Sequence, residues 1–153
     1  MAVSKENVYV PFPSRILKVI PHTAKEYTFR MEFHGAVKPG QFFEVSVPKY
    51  GEAPISVSGI GDGFVDLTIR KVGRVTDEVF EQYEGQSLLL RGPFGNGFDT
   101  ERYAEGEVVV VAGGTGVSPV RGVIQALAES SAPKDKHVIV GFKSPDDMLF
   151  AGI

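Results

Sequence analysis

The stretch VVVVAGGTGVSPV, residues 108–120, places three glycines within four positions directly after five consecutive apolar residues. An unbroken apolar run is typical of a strand in a parallel sheet that is covered on both faces. Gly113, Gly114 and Gly116 leave backbone that a ligand can approach closely, because glycine has no side chain. The stretch therefore predicts a strand, a glycine-rich turn and the start of a helix.

The end of this stretch indicates a candidate phosphate site. Ser118 is a favourable N-cap residue and Pro119 suits the first helical turn. The unpaired N–H groups and partial positive charge of a helix start suit a dinucleotide pyrophosphate. The motif is not a Walker loop, and it departs from G-x-G-x-x-G at Pro119. A tight strand-to-helix turn that binds no ligand is the alternative.

A second apolar run, HVIVGF at residues 137–142, shows the same unbroken pattern. Between the two runs, apolar residues recur at helical spacing: Val117, Val120, Ile124 and Leu127. The order strand, helix, strand predicts one βαβ unit of the doubly wound type. Because such a sheet needs more strands to bury these two, we expect residues 103–153 to be a truncated part of an α/β domain.

The first part of the chain alternates apolar and polar residues. In YTFRMEF (27–33), FFEVSV (42–47) and FVDLTIR (64–70), the apolar residues fall on one face and the polar residues on the other. This period of two is typical of half-buried strands with one face in solvent. Short strands separated by Gly- and Pro-rich turns predict an antiparallel barrel or sandwich over residues 1–102. VTDEVFEQY (75–83) predicts one helix, which Thr76 can cap and which Val79, Phe80 and Tyr83 give an apolar side.

Composition excludes several classes of function. The formal net charge is −3 and no Lys/Arg cluster is present, so nucleic acid is not an expected partner. No cysteine is present, which excludes disulfides and cysteine-bound zinc or iron–sulfur clusters on this chain and fits a reducing, cytoplasmic setting. The three histidines, His22, His34 and His137, are far apart and predict no metal site. No apolar run approaches the roughly 20 residues of a membrane helix, so we expect no membrane partner.

Three further segments carry candidate binding residues. In IRKVGRVTDEV (69–79), Arg70, Arg74, the Gly73 backbone and Thr76 could meet another phosphate, with helix capping as the alternative.

The second segment, APISVSG (53–59), places Ser56 and Ser58 on one strand face, where solvated hydroxyls are the ordinary alternative. RGPFGNGF (91–98) is a glycine-rich loop after an apolar strand, and a plain turn is favoured for it when it is taken alone.

These four segments, in this order on a barrel followed by a βαβ unit, resemble the ferredoxin–NADP reductase superfamily. APISVSG, LTIRKVGRVTDEV and RGPFGNGF are most similar to those of the electron-transfer subunit of anaerobic sulfite reductase. They are similar also to those of the dihydroorotate dehydrogenase B electron-transfer subunit and of sulfhydrogenase gamma subunits. The resemblance implies a Greek-key antiparallel barrel that binds FAD, followed by the start of an NAD(P)-binding domain. It implies hydride transfer from NAD(P)H to flavin, and then single electrons passed to an iron–sulfur partner subunit.

The resemblance also implies roles for particular residues. Ser56 would be the hydroxyl nearest the reactive edge of the flavin and is the candidate catalytic residue. Residues implied to line the flavin or hold its ribityl chain and pyrophosphate are Pro54, Ile55, Ser56, Val57, Ile69, Arg70, Gly73, Val75 and Thr76. Residues implied to close the cleft near the domain junction are Gly92, Gly95 and Gly97. Residues implied to meet NAD(P) are Gly114, Thr115, Gly116 and Ser118.

The chain departs from the superfamily in two respects. Many members read Arg-x-Tyr-Ser where this chain has Ala53 to Ser56, so one phosphate-binding arginine is absent. A charge-assisted contact of this kind contributes roughly 1.5–3 kcal/mol, so FMN in place of FAD stays open unless Arg70 or Arg74 compensates. The cysteine cluster of related subunits is also absent, which puts such a cluster beyond residue 153 or on a partner.

The sequence leaves two alternatives to the electron-transfer reductase. One is a non-catalytic module that binds flavin or another nucleotide, and the other is a free flavin reductase. The final electron acceptor and the choice between NAD and NADP are not fixed by these residues.

Overall fold

The computed structural model describes residues 7–132 and 135–151. Six strands of the first part close into an antiparallel barrel: β1 (Phe12–Pro21), β2 (Glu26–Glu32), β3 (Phe42–Val47), β4 (Gly51–Gly61), β5 (Phe64–Arg70) and β6 (Ser87–Phe94). Their order around the barrel is β1-β2-β5-β4-β3-β6. Because β6 returns to lie beside β3 after the hairpins β3-β4-β5, this is a Greek-key arrangement, and the predicted barrel is confirmed.

The barrel core consists of the apolar faces that the period of two predicted. Phe29, Phe43 and Leu67 are fully buried there, as are Val45 of β3 and Val65 of β5. Strand β1 was not predicted, because Pro11 and Pro13 interrupt its beginning. It nevertheless pairs with both β2 and β6 and completes the barrel.

The predicted solvent face of β2 and β5 is wrong at three positions. Thr28, Asp66 and Thr68 are buried, although all three lie on the polar side of their strands. Elements from the second part of the chain cover this face. Arg121 donates from that part to the Ser58 carbonyl of β4, with its Nη1 atom 2.9 Å from the oxygen. Period-two reasoning could not find this cover, because it comes from residues far away in the sequence.

The first helix, α1, runs over Arg74–Phe80 and ends before the predicted residue 83. Gly73 is its N-cap, and the predicted cap by Thr76 is made from the third helical position. The Thr76 Oγ1 atom accepts hydrogen bonds from the amides of Val72 and Gly73 at 2.9 and 3.1 Å. Tyr83 lies outside the helix and is exposed, contrary to its predicted place on the apolar side.

The second part of the chain forms the predicted βαβ unit. Strands β7 (Glu107–Gly113) and β8 (Asp135–Gly141) pair in parallel, and helix α2 (Val117–Glu129) connects them. The N-cap of α2 is Gly116, which corrects the prediction for Ser118. A single 3₁₀ turn over Gly114–Gly116 runs directly into α2, so Ser118 and Pro119 become its second and third residues.

Helix α2 covers one side of the two-stranded parallel sheet, and it buries Val117, Val123 and Leu127. Val120 and Ile124, predicted for the same apolar face, are half-buried. Much of the sheet's apolar surface is exposed, which differs from the cover on both faces that the apolar runs predict. No helix within residues 7–132 and 135–151 is long and apolar enough to cross a membrane.

Candidate functional site

A pocket of about 370 Å³ lies between the barrel wall and the start of α2. Strands β4 and β5 and the beginning of α1 form one side, and the glycine-rich turn with α2 forms the other. The lining residues are Ala53, Pro54, Ile55, Ser56, Thr68, Arg70, Val72, Thr76, Thr115, Ser118 and Pro119. The pocket therefore joins three of the four segments that the sequence identified as candidate sites.

Strand β4 gives the pocket an apolar surface that carries one hydroxyl. Pro54 and Ile55 supply the apolar part, and Ser56 is half-buried beside them. Pockets of this kind hold small molecules through apolar contact, with a few polar groups that fix orientation. This wall can hold a flat ring while the Ser56 hydroxyl bonds to a polar edge of it.

The charge in the pocket comes from Arg70. Its Nη1 atom lies 3.6 Å from Oε1 of Glu26, and the Thr115 hydroxyl donates to that same oxygen at 3.5 Å. Glu26 is buried, whereas the Arg70 side chain is 44% exposed and open to an anion. Arg74 instead donates to the Lys49 carbonyl at 3.1 Å. Of the two arginines considered for a phosphate, the structure places Arg70 in the pocket wall.

The Ser118 hydroxyl is the least satisfied polar group of this wall. Ser118 is 2% exposed, and its Oγ atom has no hydrogen-bond partner among the described residues. Leaving a buried hydroxyl unpaired costs about 1–3 kcal/mol. A ligand with a suitably placed donor or acceptor would satisfy this atom, so the residues present fit a polar cofactor.

The Thr68 hydroxyl, by contrast, belongs to a chain of hydrogen bonds behind the wall. Its Oγ1 atom lies 2.7 Å from both Thr28 Oγ1 and Ser58 Oγ. Thr28 Oγ1 in turn lies 2.7 Å from Nε2 of His22. Ser58 donates to the Asp66 carbonyl at 3.1 Å, and each hydroxyl has one proton to donate. The donors therefore run in one direction, from His22 Nε2–H through the two threonines to Ser58.

Several predicted site residues lie behind the pocket wall rather than in it. Val57 and Ile69 are buried in the barrel core. Gly73 caps α1, and Val75 packs near Gly51. The predicted site residues that do line the pocket are Pro54, Ile55, Ser56, Arg70, Thr76, Thr115 and Ser118.

The glycines Gly114 and Gly116 form the turn that carries Thr115 to the pocket. Sequence reasoning missed Thr68 and Val72 as lining residues. The alternating pattern assigned Thr68 to solvent, and Val72 lies in the irregular segment before α1.

The loop with Gly92, Gly95 and Gly97 is not part of this pocket. Gly92 lines a separate cavity of about 1080 Å³ beside β1 and the end of β2. Gln41 Nε2 donates to the Gly95 carbonyl at 2.8 Å, and a Cβ atom at Gly97 would come within 3.0 Å of the Pro39 carbonyl. The loop therefore packs on residues 38–42, and its role in closing a cofactor cleft stays a prediction.

Comparison with known proteins identifies the family. A model described as oxidoreductase NAD-binding domain matches residues 110–152. The gamma subunit of sulfhydrogenase 2 from Pyrococcus furiosus is 34% identical over 152 residues, covering 94% of this chain and 53% of the relative. The chain belongs to the ferredoxin–NADP reductase superfamily.

Further matches fit this assignment. A probable dihydroorotate dehydrogenase B (NAD⁺) electron transfer subunit from Methanothermobacter thermautotrophicus is 31% identical over 151 residues, covering 95% of this chain and 54% of the relative. A ferredoxin NADP⁺ reductase from Neisseria gonorrhoeae, solved with bound FAD and NADP, shares the fold with a TM-score of 0.78. It is 21% identical, and the match covers 92% of this chain and 61% of that one.

The resemblance found in the sequence is thus confirmed at the level of the superfamily. The chain spans about half the length of the curated relatives it matches. Within the described residues, no group of three or more His, Asp or Glu side chains is arranged to hold a metal ion.

Proposed function

We propose that this reductase-superfamily chain belongs to an electron-transfer subunit that passes electrons from NAD(P)H through FAD to an iron–sulfur partner. The observation that carries the proposal is the shared pocket, with the unpartnered Ser118 hydroxyl of α2 in the same wall as Ser56 of β4. The names of the sulfhydrogenase and dihydroorotate dehydrogenase relatives support a subunit role. On the motifs quoted above, we propose a subunit like that of anaerobic sulfite reductase.

We assign the flavin to residues 1–102 and the pyridine nucleotide to residues 103–153. The barrel strands end at Phe94 and β7 begins at Glu107, which leaves the boundary between them. The fold shared with a reductase that was solved with FAD and NADP supports this pair of cofactors.

The chain's own residues have separate tasks in this proposal. A bound flavin would supply the redox chemistry, because a flavin can accept a hydride from a reduced pyridine ring and release electrons one at a time. Pro54 and Ile55 support the ring, and Ser56 donates a hydrogen bond to its edge. Arg70 binds phosphate, and Ser118 binds a polar group of the nucleotide from the side of α2.

The residues behind the wall fix its shape. Val57 and Ile69 anchor β4 and β5 in the barrel core. Gly73 at the N-cap of α1, together with Val75 and Thr76 in its first turn, holds the backbone beside the phosphate. Gly114 and Gly116 let the nucleotide approach the turn without a side chain in the way.

The electrons then pass to an iron–sulfur centre. This chain does not bind that centre through cysteine, because the chain contains no cysteine. We place the iron–sulfur cluster on a partner subunit or on another part of the protein. The cysteine-free composition also underlies our proposal of a cytoplasmic location.

The test is an anaerobic titration of the full-length protein with FAD and FMN, followed by NADH or NADPH, monitored by visible absorbance. We expect FAD to stay bound through gel filtration and its absorbance band to bleach when a reduced pyridine nucleotide is added. Retention without bleaching would indicate the binding module, and reduction without retention would indicate the free flavin reductase. A protein that binds neither flavin refutes the proposal.

A Ser56→Ala variant tests the catalytic role assigned to this hydroxyl. We expect it to retain flavin but to reduce it about tenfold more slowly, the effect of one lost hydrogen bond near the reacting atoms. Ser87→Ala, at an exposed position on β6, is the matched control. Unchanged flavin reduction in Ser56→Ala would contradict the role of Ser56.

A further inference from the structure

Strand β4 contains a bulge two residues after Ser56. Val57 pairs with Leu67 of β5 and Gly59 pairs with Asp66, so Ser58 is the extra residue between them. Within the described barrel, Ser58 has no register partner on either β3 or β5. Bulged residues leave the ladder locally unpaired and are frequent beside functional sites. The bulge therefore presents the Ser58 carbonyl to groups outside the sheet.

Arg121 of α2 forms a hydrogen bond with this carbonyl. Its Nη1 atom donates to the Ser58 oxygen at 2.9 Å. The aromatic ring of Phe150 covers the guanidinium, with the ring centroid 4.8 Å from the Arg121 Cζ atom. Asp66 attracts this charge and Arg30 opposes it, while burial is the main cause of a lowered Arg121 pKa. A partly buried arginine, whose one acceptor within residues 7–132 and 135–151 is a backbone carbonyl, thus connects the two parts of the chain.

Two glycines allow the parts to approach each other at this point. A Cβ atom at Gly59 would lie 3.0 Å from Arg121 Nη1 and 2.8 Å from Asp66 Oδ2. A Cβ atom at Gly122, the next residue of α2, would lie 3.0 Å from Cβ of Pro39. The contact is therefore close at both ends, and it leaves α2 little freedom to slide over the barrel.

The same two elements carry the hydroxyls of the pocket. On α2, Ser118 lies one helical turn before Arg121, and on β4, Ser56 lies two residues before Ser58. We propose that Arg121 is a positioning residue: by binding the bulged Ser58 carbonyl it holds Ser118 of α2 at a fixed place relative to Ser56 of β4. This inference rests on the proposed function, because it takes the shared pocket as the cofactor site.

The first test concerns the protein without any ligand. Hydrogen–deuterium exchange of the α2 amides is compared between the wild type, Arg121→Met and Gly59→Ala. We expect about tenfold faster exchange in Arg121→Met, because it deletes a hydrogen bond donated by a charged group. Gly59→Ala should exchange faster by a smaller factor, because its Cβ atom forces the ends of the Arg121 and Asp66 side chains to shift. Gln125→Ala, at an exposed position on the same helix, should exchange like the wild type. Arg121→Lys should restore most of the protection, because a single N–H donor suffices here.

The second test asks whether Arg121 acts through Ser118. The dissociation constants for NAD⁺ and NADP⁺ are measured by isothermal titration calorimetry for Arg121→Met, Ser118→Ala and the double variant. We expect Arg121→Met to weaken binding of the pyridine nucleotide about tenfold in the wild-type background and much less in the Ser118→Ala background. Such non-additivity is not expected from a residue that only stabilises the fold.

The outcomes separate this inference from the proposed function. Unchanged α2 exchange in both Arg121→Met and Gly59→Ala overturns the inference, whatever the nucleotide affinity is. Faster exchange with fully additive effects on nucleotide affinity also overturns it. If the wild type binds neither NAD⁺ nor NADP⁺, the proposed function and the positioning role fail together, and faster exchange would support only the docking contact between Arg121 and Ser58.

Discussion

The barrel strands and the parallel strands carry similar apolar residues but bury them to different extents. Phe29 and Leu67 in the barrel are 0% exposed. Val111 in β7 and Ile139 in β8 are 68% and 58% exposed, although their segments are more continuously apolar. The exposed fractions differ because the barrel closes on itself and buries its inner face, whereas one helix on a two-stranded sheet leaves the other face of the sheet uncovered.

This contrast shows that the two patterns depend on different partners. Alternating strands bury one face within a closed barrel, so most of their core is complete in residues close in the sequence. Unbroken apolar strands bury both faces only when further layers pack on them. We therefore expect the free energy of unfolding of the described chain to depend mainly on the barrel.

The largest expected effect is the loss of a core side chain from the barrel. Phe29→Ala should lower the free energy of unfolding by about 3–5 kcal/mol, because it leaves a large cavity in a filled core. Val111→Ala is the matched change in the parallel sheet and should alter it by less than about 0.5 kcal/mol. Denaturant titration of both variants checks the comparison. An equal cost at the two positions would show that the exposed face of β7 is covered in solution.

The sequence predicted those parts of the fold that depend on local pattern. The alternation in β2, β3 and β5 gave the barrel core, and the unbroken runs gave the βαβ unit. Strand β1 was missed because its prolines read as interruptions. The burial of Asp66 and Thr68 was missed because α2 and Arg121, which cover them, are distant in the chain.

The candidate site was predictable to a similar degree. The glycine turn and the Pro54 to Ser56 strand were found because their residue types limit what the backbone can do. Thr68 was missed because its strand pattern assigned it to solvent. The bulge at Ser58 was also missed, since nothing in APISVSG signals an extra residue before two strands are aligned.

Two buried serines extend the comparison, and substituting them should change the free energy of unfolding by an intermediate amount. Ser58 in the barrel is fully buried with its hydroxyl bonded to Thr68 and Asp66, whereas the Ser118 hydroxyl has no partner among the described residues. Ser58→Ala should therefore lower the free energy of unfolding by about 1 kcal/mol. Ser118→Ala should raise it by about 1 kcal/mol in the ligand-free protein, because it removes a desolvated group and favours the helix.

The same pair distinguishes stability from binding. Ser118→Ala should gain stability and lose cofactor affinity, while Ser58→Ala should change cofactor affinity less than it changes stability. Thermal unfolding with and without NAD⁺ or NADP⁺ measures both effects in one experiment. A loss of stability in ligand-free Ser118→Ala would show that its hydroxyl is bonded within the protein, and would remove the main support for the cofactor pocket.

The smallest expected effect is a pH dependence at the junction of the two regions. His22 lies in the barrel part, and the ring of Phe150 packs against it with a centroid distance of 4.8 Å. Burial lowers the His22 pKa below its ordinary value of 6.5, and the nearby Arg121 lowers it further, while Glu26 and Asp66 act in the opposite direction. The folded protein thus favours a neutral imidazole whose Nε2–H donates to Thr28.

The sign of the pH dependence follows from proton binding. Below pH 6.5 the unfolded chain protonates this imidazole more readily than the folded protein does, so stability should fall as the pH drops towards the lowered pKa. His22→Gln keeps an N–H donor towards Thr28 but cannot titrate, so the difference in unfolding free energy between the two proteins should shrink as the pH falls. His34→Gln, at a side chain 76% exposed, is the matched control and should keep the wild-type profile. If His22→Gln and the wild type lose stability in parallel, the contact with Phe150 does not bury the imidazole, and the two regions are less tightly joined there than at Arg121.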